Sequence, residues 1–270
     1  MAGILAKKNH SVLASFAASN VLLAFDYDGT LAPIVSRPDR ARIPKRTREL
    51  LADVAQRYPC VVISGRSLKD ITARLEHIPV WYVFGDFGYG PLAHDHKSPD
   101  RVRNWAKRLT EQLPGHRGLV IEEKEHSLTI HYRRARDKRR AVEAINEAVA
   151  ALGDARALSS PQAVSVMQHG GPHKGIALQQ ARRLFACDAA MYVGDDETDE
   201  DAFVSDDPSR LLSIRIGMSR TTRARYNLRR QADIDALLSA LIELRSGLQW
   251  QAIGSKPVSR GPRMPSSRIR

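Results

Sequence analysis

The sequence predicts an α/β fold, a doubly wound, Rossmann-like parallel sheet interrupted by an inserted α+β segment. Short, continuous apolar runs of four or five residues recur, each ending on a polar residue or glycine, which is how strands buried on both faces read. Amphipathic helical stretches separate the first runs, and alternation of strand and helix implies parallel pairing with right-handed crossovers. Midway the pattern changes to two adjacent strands with a short connection, and later the first pattern resumes.

Taken in order, residues 21–25 (VLLAF) form the first run and end at Asp26. A helix follows over 45–57, with Leu50, Leu51, Val54 and Ala55 on one face. A second run, 60–63, ends at Ser64, Gly65 and Arg66; a helix then reaches about Leu75, and a third run, 81–84, ends at Gly85. The changed segment holds a helix over 99–112, strands over 119–123 and 127–133, a helix over 138–152 and a strand over 163–167. The two adjacent strands, joined across 124–126, read as an antiparallel hairpin. Beyond Gly170 and Gly171 come a helix over 174–185, a strand over 190–193 ending at Gly194, Asp195 and Asp196, a short helix, a strand over 211–216 and a last helix over 233–246. The expected division is a discontinuous core (1–92 and 171–250), an α+β insertion (93–170) and a basic tail (251–270).

The 270 residues are 43% hydrophobic, enough for a core, and the interspersed charges argue against global disorder. The net charge is +12, but the tail alone carries Lys256, Arg260, Arg263, Arg268 and Arg270 and no acid. With its Pro, Ser and Gly it reads as a solvated, disordered tail. The arginine run from Arg133 to Arg140 reads as a solvated turn and helix face, so no specific nucleic-acid partner is expected. Cys60 and Cys187 read as small core residues in a reducing compartment. No apolar run approaches the roughly 20 residues a membrane helix needs. The stretch 11–18 after Lys7 and Lys8 weakly resembles a leader, but Ser11, Ser15, Ser19 and Asn20 interrupt it. A cytoplasmic monomer or small homo-oligomer without a membrane partner is expected. His94, His96 and His126 lack the spacing of a zinc site.

Open parallel sheets bind ligands beyond the carboxyl ends of their strands. Asp26, Asp28, Ser64, Asp195 and Asp196 stand at those ends, and Lys174 opens a helix near the same edge. Bare carboxylates at one edge repel; a divalent cation relieves the repulsion, and an all-oxygen set suits Mg2+. Such a set fits phosphoryl transfer to a carboxylate, where a cation and a lysine must screen two anions from each other. Asp26 is the expected nucleophile, and Asp28 the group that protonates the leaving oxygen and then deprotonates water. Ser64 and the amides around Gly29 and Thr30 are expected donors to phosphoryl oxygens, and Lys174 a neutralising cation. Asp26, Asp28 and Asp195 are the expected metal ligands, supported by Asp196 and Asp199. Each motif alone is ordinary turn or capping chemistry; their joint occurrence at successive strand ends is not.

The segments Asp26-Tyr27-Asp28-Gly29-Thr30-Leu31, Ile63-Ser64-Gly65-Arg66, Lys174-Gly175 and Gly194-Asp195-Asp196-Glu197-Thr198-Asp199-Glu200 resemble the four motifs of the haloacid dehalogenase superfamily of phosphohydrolases. With IEEKEHSLTIHYR at 121–133 and GDDETDEDAF at 194–203, the chain is similar to trehalose-6-phosphate phosphatases from Val21 to about Leu244. The resemblance implies a hydrolase core, a mobile cap formed by the insertion, Mg2+ as cofactor, a sugar phosphate as small-molecule partner and the roles above. It also implies that Arg66 lies near the phosphate and that Lys124 and Arg133 belong to the cap motif, with Lys124 the better candidate for touching the sugar. Two positions depart from the family pattern. Phe87 stands where the family carries a histidine, and Val166 stands where it carries a glutamate. Both departures predict a weakened reading of the sugar, unless Glu122, Glu123 or Glu125 replaces the acid. The alternatives are a phosphatase of another glycoside phosphate, such as a glucosylglycerol- or sucrose-type phosphate, and an inactive regulatory protein. The intact Asp26, Asp28, Lys174 and Asp195 argue against the latter.

Overall fold

The computed structural model describes residues 2–90, 97–113, 118–160 and 162–252. In chain order the elements are β1 (Ala2–Gly3), α1 (His10–Ala18), β2 (Val21–Phe25), α2 (Lys45–Arg57), β3 (Cys60–Ile63), α3 (Leu68–Arg74) and β4 (Tyr82–Phe84). There follow α4 (Ser98–Gln112), β5 (Val120–Glu123), β6 (Leu128–His131), α5 (Lys138–Ala150), β7 (Ala155–Ser160) and β8 (Ala163–Gln168). The chain ends with α6 (Lys174–Leu184), β9 (Ala189–Gly194), α7 (Glu200–Phe203), β10 (Leu211–Ile216), β11 (Tyr226–Leu228) and α8 (Ile234–Ala252).

Seven strands form a parallel sheet in the order β1-β11-β10-β9-β2-β3-β4. The apolar run of β2 is buried throughout because its two faces meet different helix layers. Val21, Leu23 and Phe25 pack with residues of α1, α2 and α8, while Leu22 and Ala24 pack with α6 and α7. From β2 the chain winds outward to β3 and β4, then returns on the other side through β9, β10 and β11. The strand order therefore reverses around β2, which opens a crevice at its carboxyl end.

Between β4 and α6 lies a four-stranded antiparallel sheet, β5-β6-β8-β7. Helices α4 and α5 cover one face, burying Trp105, Leu109, Ile145 and Val149 against Leu128, Ile130, Val164 and Val166. The opposite face carries the alternate residues and looks onto the carboxyl edge of the parallel sheet.

Several elements differ from the sequence reading. The stretch that resembles a leader is the core helix α1, with Leu13 and Ala17 buried. Strand β7 escapes a pattern search because every residue is half-buried and ARALSS has no apolar alternation. Helix α8 runs through Ala252, beyond the expected helix end at 246 and two residues into the segment expected as tail; the remainder of that segment, like His94 and His96, lies outside the described residues. Asp137 accepts the amide of Arg140 as the N-cap of α5 (3.0 Å), which fits the solvated-turn reading of the arginine run. Cys60 and Cys187 are buried and unpaired with each other. No helix among the described residues is long and apolar enough to cross a membrane.

Candidate active site

The carboxyl ends of β2 and β9 lie side by side, and the amide of Asp26 still donates to Val193 (2.9 Å) as the last rung between them. This places Asp26 and the Gly194-Asp195-Asp196 turn next to each other. Lys174, the first residue of α6, enters from the neighbouring layer and is buried. Its Nζ donates to Oδ1 of Asp26 and to Oδ1 of Asp199, both at 2.7 Å. Asp199 also accepts from the Tyr192 hydroxyl (2.6 Å) and from the amides of Asp195 and Asp196 (2.8 and 3.0 Å). Both its oxygens are thus occupied. Gly194 has no room for a Cβ, which would fall inside the Asp199 carboxyl. Asp196 caps the next turn through the amide and hydroxyl of Thr198 (2.9 and 2.6 Å).

The electrostatics divide these acids. Burial alone would raise Asp199, but the Lys174 charge and the four hydrogen bonds hold it below the usual carboxylate range. Burial pulls Lys174 down, and Asp199 and Asp26 outweigh it, keeping the ammonium charged. Burial pushes Asp26 well up despite Lys174, aided by Asp199, Asp195 and Asp196. Asp195 is pushed up to about 8 by burial and by its acidic neighbours. Its Oδ1 is buried with no hydrogen-bond partner. Oxygens of Asp26, Asp195 and Asp199 lie within 4.8 Å of one another. An all-oxygen cluster in which Asp195 has an orphaned oxygen and the Asp26 and Asp195 carboxyls are driven toward neutrality fits Mg2+, which would relieve both features.

Gly29 serves this cluster differently from the sequence expectation. Its amide is donated to Ala32 (2.7 Å), so it is not free for a phosphoryl oxygen. Instead, Gly29 adopts φ 83°, and a Cβ there would fall inside the Asp195 carboxylate. Gly29→Ala is therefore expected to cost about 1–3 kcal/mol of stability and, by displacing Asp195, about a hundredfold in turnover. A melt and a rate measurement on the purified variant check both. Thr30 is buried with its hydroxyl unpartnered, and its carbonyl accepts from Gln231 (2.9 Å).

Asp28 points elsewhere. Arg66 donates Nε and Nη2 to its two oxygens, both at 2.6 Å, so the Asp28 carboxylate is not among the converging metal-site oxygens. Ser64 is fully buried, and its Oγ accepts the Arg66 amide at 3.2 Å.

Above these residues, between the two sheets, lies a cavity of about 820 Å3 whose walls include Asp26, Lys174, Asp195, Phe87, Lys124 and Glu122. The insertion is docked on the core. Lys124 Nζ donates to Gly65 O (2.9 Å) and lies 5.8 Å from the Phe87 ring. Ser127 donates to Asp86 (2.9 Å), whose carboxyl burial pushes up to about 6. Arg156 pairs with Asp201 (2.8 Å). Across the cavity-facing side of the inserted sheet, Glu122, Thr129 and Ser165 form one rung over three strands. Glu122 is paired with His131 (2.8 Å), whose hydrogen bond holds it below the usual range. The Thr129 hydroxyl is buried and unpartnered. Arg133 sits on the cavity wall with Nε on Gln162 (2.6 Å).

Of the two departures, only Phe87 lines the cavity. Val166 is wholly buried against α4 and α5, and the cavity-facing neighbour in its strand is Ser165. The reading that Val166 leaves a sugar hydroxyl unpaired is therefore corrected. The sequence reading also missed Tyr192, Asp70, Arg74, Thr129 and Ser165. Tyr192 left a signal, since a tyrosine inside an apolar strand needs a partner for its hydroxyl.

The family model for trehalose-phosphatase matches residues 24–231. The trehalose-phosphate phosphatase of Mycolicibacterium paratuberculosis is 34% identical over 194 residues, covering 66% of this chain and 49% of that protein. Trehalose-phosphate phosphatase B of Arabidopsis thaliana is 28% identical over 254 residues, covering 83% and 66%. The chain thus spans about half the length of the mycobacterial relative. The C-terminal domain of Candida albicans trehalose-6-phosphate phosphatase superposes with TM-score 0.72 at 21% identity, over 87% of this chain and 98% of that one; at that identity it speaks for the fold alone. With the motif residues gathered at the crevice and a family match over most of its length, the chain belongs to the trehalose-phosphatase family.

Proposed function

We propose that the protein is a magnesium-dependent phosphatase that hydrolyses trehalose 6-phosphate to trehalose and phosphate through a phosphoryl group carried on Asp26. The observation that carries this reading is the convergence of Asp26, Lys174, Asp195 and Asp199 beneath the cavity. Asp26 attacks phosphorus while the bond to the sugar oxygen breaks and Asp28 gives that oxygen its proton. Asp28 then takes a proton from water, the water oxygen bonds to phosphorus, and the bond to Asp26 breaks, restoring the carboxylate. Lys174, held charged by Asp199, screens Asp26 from the incoming anion, and Arg66 borders the same end of the cavity, its amide held by the buried Ser64 hydroxyl. Mg2+ held by Asp26 and Asp195 would supply neutralising charge for the transferred phosphoryl group. The insertion acts as a cap: Lys124 and Ser127 tie it to the core, and closure shields the reacting group from bulk solvent while the sugar is bound. Its cavity-facing rung faces the sugar, with Lys124, Glu122 and Arg133 among the charged groups in reach. Two buried free cysteines suit a reducing, cytoplasmic setting.

The test is phosphate release from trehalose 6-phosphate, sucrose 6-phosphate, glucosylglycerol phosphate and glucose 6-phosphate with Mg2+. Trehalose 6-phosphate is expected to give the highest kcat/KM; a higher value for another ester would move the assignment to that ester. Glu122→Ala is expected to raise KM for trehalose 6-phosphate about tenfold to a hundredfold, the worth of a charge-assisted hydrogen bond to a sugar hydroxyl. Hydrolysis of p-nitrophenyl phosphate, which has no sugar, should stay unchanged. Equal losses on both substrates would remove Glu122 from sugar recognition.

A further inference from the structure

Arg66, which grips Asp28, is itself held from behind. Its Nη1 donates to Asp70 Oδ2 (2.8 Å), and Nη2 also donates to Pro38 O (2.9 Å). Asp70 lies in the first turn of α3, four residues beyond Arg66. One turn further, Arg74 Nε donates to both oxygens of Asp70 (3.0 and 2.9 Å), and Arg74 Nη1 is anchored on Ala41 O (2.6 Å). Both guanidiniums lie near the Tyr27 ring, at 5.3 and 6.0 Å from its centroid. Their side chains are only 12% and 9% exposed. The result is a continuous chain, Arg74–Asp70–Arg66–Asp28, running from the helix to the site. A guanidinium held on both sides has one orientation, because its planar fork must satisfy two carboxylates together. Remove Asp70, and Arg66 faces Arg74 with no acid between them.

We infer that Asp70 is a positioning residue for hydrolysis: it fixes the Arg66 fork, which aims the Asp28 carboxylate, and Arg74 fixes Asp70. The inference rests on the reading of Asp28 as proton donor to the leaving oxygen. That dependence supplies a readout that a merely structural role would not move. A sugar alkoxide needs its proton, whereas p-nitrophenolate leaves without one, so misaiming Asp28 penalises one ester and spares the other.

The experiment measures first-turnover release of trehalose and of p-nitrophenolate from their phosphate esters by the Mg2+-loaded full chain. For Asp70→Asn, trehalose release is expected to slow about tenfold to a hundredfold, a fraction of what a general acid contributes. KM should stay within about twofold and p-nitrophenolate release within about threefold. In an Asp28→Asn background the same substitution should add nothing further. Arg74→Lys, which keeps the charge but loses the fork, is the second variant should Asp70→Asn fail to fold, and the same selective loss is expected. Equal slowing of both esters, or no slowing of trehalose release, in the folded variant would overturn the inference. Asp28→Asn alone reports on the underlying reading. If it slows both first turnovers alike, the proton-donor role fails and the inference falls with it; if it is selective while Asp70→Asn is not, the inference alone falls.

Discussion

Asp26→Asn lowers turnover by at least about ten-thousandfold while the protein stays folded. An amide oxygen cannot form the acyl phosphate, and loss of a nucleophile removes the covalent route entirely. The fold survives because the substitution is isosteric and Lys174 keeps its second partner, Asp199, at 2.7 Å. The substitution also removes one of the carboxyls that crowd Asp195 and Asp196, offsetting part of the lost ion pair with Lys174. The thermal midpoint should therefore lie close to that of the wild type. Turnover within tenfold of wild type in a folded sample would take the nucleophile assignment away from Asp26.

Removal of divalent cations abolishes activity, and Mg2+ restores it while stabilising the fold. At a hundred times its dissociation constant, a ligand specific for the native state adds about 2.7 kcal/mol, equivalent to roughly 5–10 °C for a chain of this size. Asp195 carries this expectation because its Oδ1 is buried without a partner and its carboxyl is pushed up to about 8. Asp195→Asn should leave the metal-free protein as stable as wild type or more so, since a carboxyl crowded by burial and neighbouring acids gives way to a neutral amide. It should also shrink the Mg2+-induced shift in the melt and reduce turnover to near background. Paired melts with chelator and with Mg2+, on wild type and variant, check this apart from activity. Full activity after exhaustive chelation, or an undiminished shift in the variant, would contradict the site.

The parts of this architecture that were legible in the sequence share one property: both faces of the segment are buried. Strands β2, β3 and β9 read as continuous apolar runs because helices cover each side, and the residues that end those runs had to meet at one edge. That is why Asp26, Ser64 and Asp195 could be placed before any coordinates. Segments with one solvated side were harder. Strand β7 lacks alternation, and α1 mimics a weak leader because it is small or apolar nearly all round, with little contrast between its buried and exposed sides. The error at Val166 was one of phase. A shift of one residue moves a strand's side chains to the other face, and Val164, Ser165 and Val166 already carried the alternation that sets Ser165 toward the cavity. Arg66, Asp70 and Arg74 stand at helical spacing in the sequence, but that pattern is indistinguishable from an ordinary solvated ion-pair face until Asp28 is seen at its end. The occupied amide of Gly29 depends on a bond to Ala32 that no composition or periodicity encodes.

The most direct test of the account is to catch the phosphoryl group on its carrier. The Mg2+-loaded protein is mixed with trehalose 6-phosphate, quenched in acid during the first turnovers and reduced with borohydride, which converts an aspartyl phosphate to homoserine. Peptide mass spectrometry should find homoserine at position 26, at a level that falls to nothing without substrate or without Mg2+. Phosphate release proceeding at full rate with no modification of Asp26, or with the modification on another residue, would contradict the account.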